Sequence, residues 1–260
     1  MNTHIFRLSA VLILLSVFSS CQKEIQIDLN SAEPKMVIEA EISDQPASCR
    51  VKLTRTVNFS ESNIFPAVSG AVVFLSDNLG NSELLNESSP GIYTSPTLQG
   101  VPGRVYTLII SDAGKEYSAV STLNFPVSID TLTVEKSFFG NERFVNVGFL
   151  DPAGIENQYR FIKTTNGIVE KSIYITNDYL QDGNYSAMPL FSGDNLVKGD
   201  SVTISLQSID KGVYEYFRTL SLLNGGDPSA SPANPLSNVT NGALGYFNAY
   251  AVRTETTVVP

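Results

Sequence analysis

From residue 36 onward the chain alternates apolar and polar residues in short runs, and a period of two commits it to β-structure. In KMVIEAEI, Met36, Ile38, Ala40 and Ile42 fall on one side and Val37, Glu39 and Glu41 on the other. RVKLTRTV, GAVVFLSDNLGN, GIYTSPTLQGVPGRVYTLII and EYSAVSTL repeat the pattern, divided by turn signals at Asp77-Asn78-Leu79-Gly80, Pro102-Gly103 and Asp112-Ala113-Gly114-Lys115. Strands this short, punctuated about every 8–12 residues, read as an antiparallel sandwich. NFPVSIDTLTVEK reads as a crossover, and FVNVGFL, QYRFIKTTNGIVEKSIYI and SVTISLQSI follow as further strands. Asn166-Gly167 is the strongest hairpin signal, because both central positions of a type I′ turn need positive φ.

The expected fold is therefore mainly β: two antiparallel β-sandwich domains over 34–125 and 126–260, the first immunoglobulin- or prealbumin-like. One helix is expected in the C-terminal part, over 210–224. Asp210 can cap it, with Ser208 beside it as a helix-start residue. Val213, Tyr214, Phe217 and Leu220 form its apolar stripe, and Asn224-Gly225-Gly226 ends it. The loop GGDPSASPANPLSNVTNGA follows, and loops of this length are functional or mobile. Its Pro228, Pro232, Pro235 and Asn238 are the candidate partner-contact residues, and LGYFNAYAVRTETTVV then returns to the sheet as one or two strands.

The N-terminus has a different character. Residues 1–20 carry Arg7, no acid, and the apolar run LSAVLILLSVF, too short to span a bilayer but suited to a secretory signal. Ser19 and Ser20 then precede Cys21. The segment resembles a bacterial lipoprotein signal, in which the cysteine becomes the acylated first residue of the mature protein, although Phe18 departs from the usual Leu or Val. The other reading is an ordinary signal with Cys21 free or paired to Cys49. Several acyl chains would hold the protein to a membrane, each buried methylene contributing about 0.8 kcal/mol. Residues 21–33 would be a tether with a reach of about 40 Å. Its charged start, Gln22-Lys23-Glu24 and then Asp28, resembles the export signal for the outer face of the Bacteroidetes outer membrane.

Charge excludes one class of partner. Removing Arg7 from the 17 bases leaves 16 against 26 acids, a surface that repels a phosphate backbone, so no nucleic-acid partner is expected. The only histidine, His4, lies in the leader. A mature chain without histidine has no Ser-His-Asp or Cys-His catalysis and no histidine-ligated zinc. Ser208 to Lys211 matches Ser-x-x-Lys, but the companion Ser-Asp-Asn and Lys-Thr-Gly motifs are missing. Asp178, Asp182, Asp194 and Asp200 crowd one polar segment without the spacing of a calcium loop, so a solvated loop and a calcium site both stay open. Paired carboxylates for glycoside hydrolysis depend on a separation the sequence withholds. Asp130-Thr131-Leu132 and Asp200-Ser201-Val202 resemble the Asp-Ser/Thr-apolar acceptor of Bacteroidetes O-glycosylation, which makes Thr131 and Ser201 candidate modification sites.

The order of these features resembles one family. The signal with Cys21, MVIEAEISDQPASCRVKLTRTV, VSGAVVFLSDNLG, GIYTSPTLQGVPGRVYTLII, VSIDTLTV, SIDKGVYEYFRTL and NVTNGALGYFNAYAV together are similar to the domain of unknown function 4249 family, outer-membrane lipoproteins of Bacteroidetes. The A-x-V-x-L strand, D-x-x-G turn and G-x-Y strand of the first half also resemble the prealbumin-like domain of carboxypeptidase regulatory regions. The family resemblance implies encoding beside TonB-dependent receptors and supplies no catalytic residue. The expectation is thus a non-enzymatic lipoprotein on the outer membrane, facing the exterior through lipid on Cys21. It would have no cofactor and no metal, and a TonB-dependent receptor as partner. An adhesive or structural envelope protein is the alternative, and a hydrolase comes third.

Overall fold

The alternating runs fold as strands in the computed structural model, which describes residues 33–58, 61–137, 142–191, 195–224 and 234–260. In the first half these are β1 (Met36–Ser43), β2 (Cys49–Arg55), β3 (Val72–Asp77), β4 (Ser82–Leu84), β5 (Asn86–Ser89), β6 (Ile92–Ser95), β7 (Val105–Asp112) and β8 (Lys115–Thr122). In the second they are β9 (Thr131–Lys136), β10 (Arg143–Leu150), β11 (Gln158–Thr165), β12 (Ile168–Val169), β13 (Tyr174–Asn177), β14 (Tyr185–Leu190), β15 (Ser201–Ile209) and β16 (Leu244–Val258), with helix α1 (Lys211–Asn224) between the last two. The fold is mainly β with one helix among the described residues.

The strands form three sheets: β12-β11-β15-β16-β1-β2-β6-β5 with β13 also on β11, then β4-β3-β7-β8, and β14-β10-β9. Alternation decides what each face does. Met36, Ile38, Ala40 and Ile42 of β1 are sealed inside with Val73, Leu75, Leu108 and Ile110 in the first core. A second core joins Val145, Val147 and Phe149 of β10 to Tyr159 and Phe161 of β11 and to Val202, Ile204 and Leu206 of β15. The turns follow their signals, since Asn166-Gly167 (φ 50 and 81) and Ala113-Gly114 (φ 48 and 78) place both central residues in the left-handed region.

One pairing departs from the antiparallel expectation. β1 and β16 run parallel, from Val37 opposite Leu244 to Ser43 opposite Tyr250. The reason is the length of β16, 15 residues. Its first half sends Phe247, Ala249 and Ala251 into the first core. Its second half continues antiparallel to β15, from Ser208 opposite Ala251 to Ser201 opposite Val258. A single strand therefore pairs with β1 of the first half and β15 of the second, and residues 34–260 make one compact unit.

The helix starts at Asp210 alone. Asp210 Oδ1 accepts from the Val213 N–H at 2.8 Å, while Oδ2 accepts the Ser121 hydroxyl at 2.5 Å and the Thr122 N–H at 2.9 Å. The cap thereby fastens α1 to β8 as well. Ser208 is not a helix-start residue: it lies inside β15, buried opposite Tyr159, because the strand runs on to Ile209. Val213 and Phe217 seat the helix in a third apolar cluster with Ile209, Tyr246 and Tyr250, and the Arg160 guanidinium stacks 3.8 Å from the Phe217 ring centroid.

Candidate functional site

Cys21, Pro228, Pro232 and Asp194 lie outside the described residues. Of the remaining candidate partner-contact residues, Pro235 is half-buried and Asn238 is spent on the fold. Its Nδ2 donates to the Phe247 carbonyl at 2.8 Å and its Oδ1 accepts from the Phe247 N–H at 2.9 Å, so it anchors the returning loop to β16. Thr131 is exposed at the start of β9, with its hydroxyl 2.7 Å from that of Tyr185. Ser201 is exposed at the start of β15, where its N–H donates to Asn166 Oδ1 at 2.9 Å.

The acidic segment is divided in space. Asp200 stays at the start of β15, accepting from Asn166 Nδ2 at 2.9 Å and from the Val197 N–H at 2.8 Å. Asp178 and Asp182 instead converge on Asp151, and carboxylate oxygens of all three lie within 4.8 Å of one another. Each is engaged by the protein itself. Asp151 accepts the Tyr159 hydroxyl at 2.5 Å and the Gly183 N–H at 3.1 Å. Asp178 accepts from the Asn157 N–H at 2.7 Å, and Asp182 from the Gly154 N–H at 2.7 Å. Burial, then the bond to Asp151, push the Tyr159 phenol well above its ordinary pKa, so it stays a donor. The arrangement is a set of staples that holds loop 178–184 to loop 151–157.

A pocket of about 530 Å³ opens between the β11–β12 hairpin and residues 195–200. Such a volume is ordinary for a small-molecule site. Ile168, Val169 and Leu196 form its apolar walls, and Glu170, Asp200, Asn166 and Lys171 supply polar groups. Beneath it lies a buried ion pair: Lys163 Nζ is 2.8 Å from Glu170 Oε1, with the lysine side chain 0% and the glutamate 10% exposed. The Tyr174 hydroxyl donates to Glu170 Oε2 at 3.3 Å and the Thr165 hydroxyl to Oε1 at 3.2 Å. The sequence reading did not single out Lys163. It stands in phase with Tyr159 and Phe161, which point inward on β11, and a lysine on the inward face was the available signal.

Two acid pairs line clefts. Glu170 and Asp200 share this pocket, and Glu156 and Asp210 share a more open cleft of about 370 Å³ at the start of α1. Asp210 is occupied as the helix cap, and Glu156 pairs with Lys211 at 3.0 Å. Hydrogen bonds from Asn166 and then the Val197 amide hold Asp200 below the usual carboxylate range, the opposite of what a general acid needs.

A two-domain fibronectin type-III segment of chicken tenascin is similar at 14% identity over 68% of this chain and 91% of that chain, with a TM-score of 0.21. A cytokine receptor complex chain is 10% identical over 85% of this chain and 94% of its own length, with a TM-score of 0.25. No curated protein matches the chain. The family model described as "Domain of unknown function (DUF4249)" matches residues 22–256, and the chain belongs to that family.

Proposed function

We propose that the protein is a lipid-anchored outer-membrane lipoprotein facing the cell exterior, a non-enzymatic subunit that binds ligand for a TonB-dependent nutrient uptake system. The observation that carries the ligand-binding role is the 530 Å³ pocket, in which Ile168, Val169 and Leu196 face polar groups that include Glu170. Apolar walls around a few fixed polar groups suit a small molecule with one apolar face and hydrogen-bonding donors. The buried Lys163–Glu170 pair, 2.8 Å apart, ties that polar floor to β11. Anchoring is supported by the apolar run that ends at Cys21, and partnership with a transporter by what the family resemblance implies.

The test is purification of the tagged, full-length protein from its native membranes. A TonB-dependent transporter should co-purify, native mass spectrometry should find a small molecule on the lipoprotein, and Cys21→Ala should abolish fatty-acid labelling. Label retained on Cys21→Ala overturns the anchor. A preparation with neither transporter nor bound molecule overturns the uptake role.

A further inference from the structure

The stapled loops 151–157 and 178–184 carry apolar side chains that the fold leaves in water. Tyr179 is 85% exposed, Leu180 87% and Ile155 59%. Their position is not slack. Besides the Asp151, Asp178 and Asp182 bonds, the Gln181 N–H donates to the Asp178 carbonyl at 2.7 Å and the Asn184 N–H to the Gln181 carbonyl at 2.9 Å. Two of the stapling carboxylates are themselves buried, Asp151 at 2% and Asp178 at 6% exposure. The protein thus places costly buried acids where they hold a tyrosine and a leucine outward. Each of those side chains forgoes the gain that burial would give it. A pre-ordered loop that presents large apolar side chains is an anchor with little entropy left to lose on binding.

The surrounding charge selects the partner. On segments 150–157 and 178–190 the exposed acids are Asp182 and Glu156, with Asp151 and Asp178 buried beneath them, and neither segment contains lysine or arginine. Glu156 has one base against it, Lys211 at 3.0 Å. An anionic bilayer would be repelled by this collar, and a second copy of the chain would bring an identical collar to the contact. We propose that the two loops form a protein-docking surface whose partner offers an apolar pocket for Tyr179 and Leu180, rimmed by lysine or arginine. This inference does not rest on the ligand-binding reading.

The experiment replaces Leu180 by a photo-crosslinking amino acid in the full-length protein in its native membranes and sequences the cross-linked peptide. The expected result is a protein peptide containing or flanked by lysine or arginine. Binding of that purified partner should weaken about tenfold or more in Tyr179→Ser/Leu180→Ser. It should also weaken with rising salt, and less steeply in Asp182→Asn, which keeps the oxygen that the Gly154 N–H needs. Circular dichroism and Tm of Tyr179→Ser/Leu180→Ser should match wild type, since both side chains are solvent-exposed. Cross-links to lipid alone, to another copy of this chain, or to nothing overturn the proposal, as does a partner that binds Tyr179→Ser/Leu180→Ser equally well or without salt dependence. A partner that meets these criteria but is no TonB-dependent transporter leaves this docking surface standing while the uptake reading falls.

Discussion

Replacing Glu170 by Gln tests the buried pair under the pocket. Lys163 Nζ and Glu170 Oε1 are 2.8 Å apart. At an effective dielectric of about 20 that distance corresponds to an attraction of about 6 kcal/mol. Much of it offsets the cost of taking both ions out of water, so the net worth of the pair against an apolar replacement is near zero. Removing one partner is different, because the other side chain stays buried without that counter-charge. Glu170→Gln should cost about 3–5 kcal/mol, and Lys163→Met a comparable amount. The double variant Lys163→Met/Glu170→Gln should return to within about 1 kcal/mol of wild type, since the Gln carbonyl still accepts from Thr165, the Tyr174 hydroxyl keeps the Phe191 carbonyl, and neither buried charge remains. Urea unfolding followed by circular dichroism reads all four corners of this cycle, and Tm should fall by about 6–20 °C in each single variant. Additive losses in the double variant would refute the reasoning, because two charges that do not depend on each other cannot rescue each other.

The remaining predictions concern the frame around the pocket. At Gly245, φ is +98 and a Cβ would collide with the Ile38 carbonyl across the parallel β1–β16 pair. Gly245→Ala should therefore cost about 3 kcal/mol or more. Gly80→Ala, at φ +88 with nothing within 4 Å, should cost about 1 kcal/mol, and Tm separates the two. Burial acts against Asp77, yet bonds from Asn81, the Leu79 amide and Arg104 hold its carboxyl at about 2. Because that value lies below the ordinary 3.8, its stabilisation is complete above about pH 4 and is lost as the pH falls toward 2. Wild type should melt above Asp77→Asn at neutral pH, and the two Tm curves should converge between pH 4 and 2; parallel curves would contradict this. Burial, then the Glu83 carboxylate, push the Cys49 thiol up to about 12. A thiol reagent at pH 8 should leave Cys49 unmodified in the native protein and modify it fully in denaturant.

Much of the local structure was legible in the residues. The face that Met36, Ile38, Ala40 and Ile42 bury follows from a period of two, and the Asn166-Gly167 turn from the positive φ that both its positions need. The Asp210 cap follows from a short carboxylate placed before an apolar stripe. Ser208 was misread for a related reason: short polar side chains signal both strand ends and helix starts, and only pairing with Tyr159 decides between them. The functional surfaces were less legible. Asp178 and Asp182 stood out as acids, but their partner Asp151 comes from a distant loop, and Asn238 looked free until Phe247 was seen to occupy both ends of its amide.

What the sequence determined alone is whatever depends on near neighbours: strand faces, turn types, the helix and its cap, the apolar run that stops at Cys21, and an acidic chain whose only histidine is His4. Tertiary structure decided which strands meet. Pairing β1 with β16 brings Ile38 beside Gly245, and no periodicity encodes a partner so far along the chain. Backbone hydrogen bonds are the same for any strand, so the choice falls to shape: Gly245 admits the Ile38 carbonyl where a side chain would not fit, and Phe247 and Ala249 complete the first core. The pocket, the buried Lys163–Glu170 pair and the outward set of Tyr179 and Leu180 follow from that assembly, because each takes its position from residues on more than one strand or loop.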